Sequence, residues 1–218
     1  SVVIPAYNAA ATLERALRSA LDQTYHPKEI IVVNDASRDT TGEIADSFAD
    51  HTVHVIHADS NAGEASTRNR GIAAARGAYI AFLDADDEWL PGKLEAQVAA
   101  MEANPSWSIC TGDTQWFTAD GRFLRASPAV PAHRLGADAW QHLLAEPFIN
   151  ASIAMVRTRA IRATGGFAPS LKVGGDQDMW IRLALIGGVG YVERPLARVY
   201  VMPHGLMNAN IRDRKSVV

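Results

Sequence analysis

Cysteine is nearly absent: Cys110 is the only one in 218 residues. An internal disulfide is excluded, and the composition suits a reducing compartment, so a cytoplasmic place is expected. A basic surplus is missing too. Lys plus Arg number 21 against 24 Asp plus Glu, a net charge of -3, which argues against a nucleic-acid partner. A polyanionic ligand would therefore need a metal or a few placed arginines. No apolar run is long enough to span a bilayer. The opening Ser1-Val2-Val3-Ile4-Pro5 is too short for a signal peptide, has no basic leader and starts without Met. It reads as a trimmed piece, with membrane or partner regions expected outside it. What remains is ordinary: 48% hydrophobic, 21% charged, no internal repeat, and a length that fits one domain with a real core.

The most informative stretch is 79–90, Y-I-A-F-L-D-A-D-D-E-W-L. Its first half has the composition of a buried strand. Its second half crowds Asp84, Asp86 and Asp87 together, which is costly unless something positive sits among them. A hard divalent cation takes carboxylate oxygens. In open α/β sheets, ligands bind beyond the carboxyl ends of strands. The alternative is a solvated loop, or acids favouring the start of a helix that Pro91 opens.

The rest of the chain supplies that sheet. Val2 to Ile4 is a β-branched run stopped by Pro5. Leu13, Ala16, Leu17, Ala20 and Leu21 then recur at helical spacing. Residues 29–33 form a continuous apolar run ending in Asn34-Asp35, as in a strand covered on both faces. Thr40 and Glu43 form a candidate capping box for the next helix, and 52–57 reads as a third strand. Residues 64–75 read as a helix carrying Arg68, Asn69 and Arg70. Strand, helix, strand, helix, strand predicts a doubly wound parallel sheet. The right-handed crossover puts the strand ends on one edge, so Asn8, Asp35 and Asp84 should gather there.

Further on, 91–103 reads as a helix and 108–117 as a strand. Asp120-Gly121 marks a hairpin into 122–125. A Pro-rich loop covers 127–133 and a short helix 137–145. Residues 149–156 read as a strand, 168–175 as a glycine-bearing loop, 178–186 as an amphipathic helix and 189–193 as a last strand. The basic cluster 212–215 reads as a solvated end.

Taken together, S-V-V-I-P-A-Y-N, I-I-V-V-N-D-A-S-R-D-T-T, N-A-G-E-A-S-T-R-N-R-G, Y-I-A-F-L-D-A-D-D, G-G-F and G-D-Q-D-M-W-I-R-L resemble the family 2 glycosyltransferases over nearly the whole chain. The resemblance implies a GT-A fold: a Rossmann-like, mostly parallel central sheet flanked by helices, with a small mixed acceptor-side subdomain. It implies one domain over 1–218, with about 1–103 binding the nucleotide sugar and about 104–218 binding the acceptor and carrying the base. It also implies inverting transfer from a nucleotide-sugar donor, a UDP-sugar above all, assisted by Mn²⁺ or Mg²⁺. The acceptor would be a carbohydrate, a lipid-linked sugar or a protein. Peripheral membrane association at the inner face, through segments outside this chain, fits the same picture.

Matched residue by residue, Pro5, Ala6, Tyr7 and Asn8 fall on the segment lining the nucleotide base. Asp35 matches the acid that hydrogen-bonds uracil, and Arg68 a basic residue near the nucleotide. Asp84, Ala85 and Asp86 match the D-x-D motif, with Asp84 nearer the ribose and Asp86 on the metal. Asp176 matches the catalytic base and His204 a histidine that completes the metal site. Two departures stand out. Gly175 replaces the Glu that precedes the base in many relatives, and Tyr200-Val201-Met202-Pro203-His204 lacks the usual arginine and has one residue more. Asp178 is the rival base, but on a helix it would point away from Asp176.

Bland roles are expected for several residues. Trp180 and Arg182 read as helix packing and its flank, although Trp180 could floor the acceptor site. Asp39 reads as a helix N-terminal charge. Trp89 belongs either to the core or under the donor sugar, and Asp113 is a weak acceptor candidate. A loop at 172–175 is expected to order when donor binds. Competing classes are a haloacid-dehalogenase-like phosphatase, in which Asp84 would be the nucleophile, and a non-catalytic nucleotide-sugar-binding subunit. A sugar nucleotidyltransferase lacks its Gly-rich loop here. A dinucleotide-binding oxidoreductase lacks G-x-G-x-x-G after the first strand.

Overall fold

The computed structural model describes residues 1–171 and 173–202. Its first half is β1 (Val2–Ala6), α1 (Leu13–Leu21), β2 (Ile30–Asn34), α2 (Thr41–Ser47), β3 (Val53–His57), α3 (Glu64–Ala74) and β4 (Tyr79–Phe82). The second half is β5 (Glu88–Trp89), α4 (Lys93–Ala103), β6 (Trp107–Thr118), β7 (Phe123–Ala126), α5 (Ala139–Ala145), β8 (Met155–Arg157), α6 (Thr158–Ala163), α7 (Gly175–Ile186) and β9 (Gly188–Val201). The strands form one sheet in the order β3-β2-β1-β4-β8-β6-β9-β5, with β7 added to β6. Strands β1, β2, β3, β4, β6 and β9 point one way, and β5, β7 and β8 run against them. Among the described residues no helix is long and apolar enough to cross a membrane.

Alternation along the central strands splits the core in two. Val2, Ile4, Ile30 and Val32 face α1 and α4 residues such as Leu13, Leu17, Leu94 and Met101. Val3, Ile31 and Val33 face the other layer, with Ile72, Phe82, Phe167, Trp180 and Leu183. Both faces are covered, which is why β2 is buried at every position. Helix α3 lies close on β1: a Cβ at Gly71 would meet Val3 Cγ1 at 2.3 Å. That contact seats the first turn of α3 beside the carboxyl ends of β1, β2 and β4, where the site forms.

Several expected boundaries are corrected. Strand β1 runs through Pro5 to Ala6, paired with β2 throughout. Val2 N donates to Glu29 O and Asp35 N to Ala6 O on the β2 side, whereas Leu83 N donates to Val3 O on the β4 side. Pro5 faces the β4 side just beyond the last pair, Val3 with Phe82, so its missing N–H breaks no ladder bond. The capping box at Thr40 does not form. Asp39 takes its place, accepting from Thr41 N at 3.0 Å and from Ala10 N at 3.1 Å. This fits the helix-terminal charge expected of Asp39.

The expected strand over 149–156 shrinks to Met155–Arg157. Asn150 Oδ1 accepts from Ser152 N at 2.8 Å and starts a 3-10 turn at Ala151–Ile153, a local side-chain bond that outcompetes the ladder. Strand β9 does not stop at Glu193. The β6–β9 ladder shifts register around Asp113, opposite Pro195, and continues to Val201. Helix α4 starts at Lys93, after Gly92 at φ 75°, not at Pro91. Helix α7 starts at Gly175 instead of 178 because Gly174, at φ 75°, turns the chain into it and accepts from Asp178 N at 3.0 Å. Asp176 thus lies in the first helical turn.

Candidate active site

Five chain segments meet at the strand ends. After β1, Asn8 sits at φ 50° and its Oδ1 accepts from Arg38 N at 2.9 Å, while its own N–H donates to Ser37 Oγ at 3.0 Å. This lashes the Pro5–Asn8 corner to the segment after β2. Tyr7 is exposed beside it. Asp35, at the end of β2, is buried and accepts from Ala62 N at 3.0 Å and Gly63 N at 2.9 Å, with Arg70 3.7 Å away. An ionised carboxylate has about four lone-pair sites, so Asp35 keeps acceptor capacity.

The centre is Arg68 on α3, 1% exposed. Its Nη1 donates to Asp176 Oδ1 at 2.7 Å and its Nη2 to Asp84 Oδ1 at 2.7 Å. Glu64 Oε1, one turn back on the same helix, lies 2.6 Å from Nη2. Burial alone would lower the guanidinium's pKa, but the three carboxylates outweigh it and hold Arg68 firmly charged. Burial raises Asp176 above the usual carboxylate range, Arg68 opposes the rise, and Asp84 adds to it. For Glu64 the pull of Arg68 is the largest effect. Burial with the charges of Asp84, Asp176 and Asp86 nevertheless carries it up to about 7.

The acid loop after β4 is built from below. Asp84 N donates to Ser152 Oγ at 3.1 Å, and Ser152 Oγ donates to Asp87 Oδ2 at 2.5 Å. Tyr200 N on β9 donates to Asp87 Oδ1 at 3.0 Å. Asp87 is therefore a buried strut beneath Asp84 and Asp86. Arg15 on α1 donates to Asp86 O at 2.5 Å and stacks 3.8 Å over the Tyr200 ring. The Asp86 carboxyl itself rises to about 6, through burial first and Asp84's charge second. A carboxylate made costly in this way is relieved by a cation. Among the described residues no group of three or more His, Cys, Asp or Glu side chains forms a metal cage. His204 lies outside the described residues, as does Lys172 of the loop expected to order with donor.

Asp176 is held from behind as well. Asn69, next to Arg68, brackets Phe167: Nδ2 donates to Phe167 O and Oδ1 accepts from Phe167 N, each at 2.8 Å. Arg182 on α7 donates to Thr164 O at 2.9 Å and Gly166 O at 3.0 Å, and pairs with Asp178 at 2.5 Å. Asp178 thus faces Arg182 while Asp176 faces Arg68. Trp180 is core, packed with Phe82 and Phe167 at ring separations of 6.2 and 5.7 Å, and does not floor the cleft. Trp89 is core too, with Nε1 donating to Ser152 O at 2.6 Å. Asp113 is engaged by the Tyr191 hydroxyl.

Sequence reasoning passed over Glu64, Arg15 and Ser152. Glu64 stands four residues before Arg68, the helical spacing for an ion pair, so its signal was present. Arg15 lies off the apolar stripe of α1, where helical spacing carries no signal for a site. Ser152 was hidden inside an apolar run taken for a strand.

Comparison with solved structures defines the class first. The chain is similar to TarS of S. aureus in complex with UDP-GlcNAc, at TM-score 0.78 and 19% identity over 95% of this chain and 60% of that one. It is also similar to the mannosyltransferase PcManGT of Pyrobaculum calidifontis in complex with GDP-Man and Mn²⁺, at TM-score 0.72 and 21% identity over 97% and 59%. At these identities the likeness establishes the fold, which is GT-A, as the sequence led one to expect. The glycosyl transferase family 2 model matches residues 1–163, and the chain belongs to that family. The phosphatase, nucleotidyltransferase and oxidoreductase alternatives fall with that membership.

Among curated relatives, WfaP of Escherichia coli, a UDP-Glc:alpha-D-GlcNAc-diphosphoundecaprenol beta-1,3-glucosyltransferase, is 40% identical over 47% of this chain and 41% of its own length. The succinoglycan biosynthesis protein ExoO of Rhizobium meliloti is 39% identical over 61% and 38%. The chain spans less than half the length of the curated relatives it matches.

Proposed function

We propose that this chain is the catalytic domain of an inverting glycosyltransferase that moves a sugar from a nucleotide sugar, a UDP-sugar foremost, to an acceptor hydroxyl. One observation carries the reading: Arg68 joins Asp84 of the D-x-D motif to Asp176, from far down the chain, through one guanidinium. Donor acid and candidate base therefore line one crevice. In this reading 1–103 binds the donor and 104–218 the acceptor. The Pro5–Asn8 corner lines the nucleotide base, and Asp35 accepts from the uracil N–H. Asp84, with Ala85 beside it, approaches the ribose.

Asp86 would hold Mn²⁺ or Mg²⁺, with His204 as a further candidate ligand. Its raised carboxyl and hard oxygen donors fit such a cation. Mg²⁺ commonly takes one or two carboxylates and completes its shell with substrate phosphates. When bound, the cation neutralises charge on the departing diphosphate.

The protein's own part is proton transfer and positioning. Asp176 takes the acceptor's hydroxyl proton as the acceptor oxygen bonds to the anomeric carbon and the bond to diphosphate breaks on the opposite face. Burial makes Asp176 a stronger base than a free carboxylate, and the Arg68 guanidinium opposes that rise. The acceptor is a carbohydrate, a lipid-linked sugar or a protein; the lipid-linked case is that of WfaP. The place of action is the cytoplasm or the inner face of the membrane.

Two variants test this. Asp86→Ala should abolish Mn²⁺-dependent UDP binding in calorimetry. Asp176→Asn should bind UDP within about threefold of wild type while Mn²⁺-dependent release of UDP from the donor falls by at least about 100-fold. Equal loss of UDP binding in both variants would overturn the assignment of Asp176.

A further inference from the structure

Resting on the donor reading above, we propose that the transferred sugar is uncharged and rich in hydroxyls, and that Glu64 is a specificity-determining residue that excludes sugars carrying a carboxylate. Three carboxylates, Glu64, Asp84 and Asp176, converge within 2.7 Å on the two terminal nitrogens of Arg68. The cation lies underneath. Its side chain is 2% exposed, against 48% for Glu64 and 42% for Asp176, so a ligand entering the cleft meets carboxylate oxygens. With all three carboxylates ionised these groups carry a charge of about -2, and with Glu64, whose carboxyl sits at about 7, protonated they carry about -1. Of the nearby arginines, Arg15 donates to the Asp86 carbonyl and Arg70 lies 3.7 Å from Asp35.

The sugar has to lie over this cluster. Its diphosphate end belongs with Asp84 and Asp86, and its anomeric carbon must open toward Asp176. Glu64 joins them at the same guanidinium, sharing Nη2 of Arg68 with Asp84. Ionised carboxylates only accept hydrogen bonds, and sugar hydroxyls donate them. A uronate would instead place a further negative charge a few ångströms from three others. At the effective dielectric of a protein cleft, each such pair costs enough to weaken binding at least about tenfold.

The bland role for Glu64 is a helix N-terminal charge with an i,i+4 partner. Against the pull of Arg68, burial and the charges of Asp84, Asp176 and Asp86 hold its carboxyl up at about 7, so its ionised form costs stability there that a neutral residue would not.

The experiment measures dissociation constants of the wild-type chain with Mn²⁺ for UDP, UDP-glucose, UDP-N-acetylglucosamine and UDP-glucuronate. UDP and the tighter of the two neutral donors should agree within about tenfold. UDP-glucuronate should bind at least about tenfold more weakly than UDP-glucose. In Glu64→Gln that gap should narrow to about threefold or less, each donor being read against the same variant's affinity for UDP. Glu64→Ala repeats the test if the glutamine variant misfolds. UDP-glucuronate binding as tightly as UDP-glucose to wild type would overturn the inference. A gap unchanged in both variants would remove Glu64 from it. Failure of UDP itself to bind would instead strike the donor reading on which it rests.

Discussion

Two buried basic side chains sit on opposite faces of the same sheet. Arg68 on α3 is wrapped by three carboxylates at the strand ends. Lys93 on α4 is 0% exposed, its Nζ lies 3.8 Å over the Trp89 ring, and that nitrogen has no hydrogen-bond partner among the described residues. Acids drive Arg68 firmly into its charged form, whereas burial drives Lys93 well below the ordinary lysine range. Burial of a basic side chain therefore says little about function. What surrounds it decides whether it is a charge held ready for a ligand or an amine hidden in a core.

The same substitution should act with opposite signs at the two positions. Arg68→Met leaves three carboxylates around an apolar side chain, an uncompensated cluster. Removing one partner of a buried ionic group costs about 3–5 kcal/mol, which for a domain of this size is on the order of 10 °C in Tm. Thermal denaturation at pH 7 should show that loss, and the deficit should shrink as the pH falls toward 4 and the carboxylates protonate. A variant that melts like wild type would show that Arg68 does not neutralise the cluster.

Asn69 tests whether α3 also positions the base mechanically. Asn69→Ala removes both hydrogen bonds to Phe167 and leaves a buried N–H and C=O unpaired, a loss of about 1–3 kcal/mol. Because Phe167 and Gly166 lie ahead of α7, donor turnover should fall more than UDP affinity. Unequal effects of that kind would separate bracket from charge. A change in UDP affinity alone would place Asn69 at the nucleotide instead.

Much of this was legible in the chain. Apolar runs ending in Asn34-Asp35 and in Asp84 mark parallel strands whose ends share an edge, and crossover handedness brings them together without any contact being known. The D-x-D and G-D-Q-D segments carried Asp86 and Asp176 by resemblance. Illegible features share one cause: a local side-chain bond or a long-range partner overrode the pattern. Asn150 turned an apolar run into a 3-10 turn and thereby delivered Ser152 to the acid loop. Asp39 capped α2 from one residue earlier than the sequence motif. Lys93, at the start of α4, looks like a solvated lysine until α4 is seen packed under the sheet with Gln97 donating to Cys110 O and Ile153 O.

Lys93 provides the clearest sign. Its native pKa is depressed below the unfolded value of 10.5, so folding releases a proton wherever the pH lies between the two. In that window the unfolded chain binds more protons than the native one, and stability rises with pH by up to about 1.4 kcal/mol per unit. The penalty is full below the native pKa and gone above 10.5. Lys93→Met keeps the volume, loses the contact with Trp89 and removes the penalty, for a net gain of about 1–4 kcal/mol at pH 7. Its advantage over wild type should close as the pH approaches 10.5. Paired denaturation curves at pH 7, 8.5 and 10 would read that convergence. Parallel curves would mean that Lys93 stays charged on a partner, which would erase its contrast with Arg68.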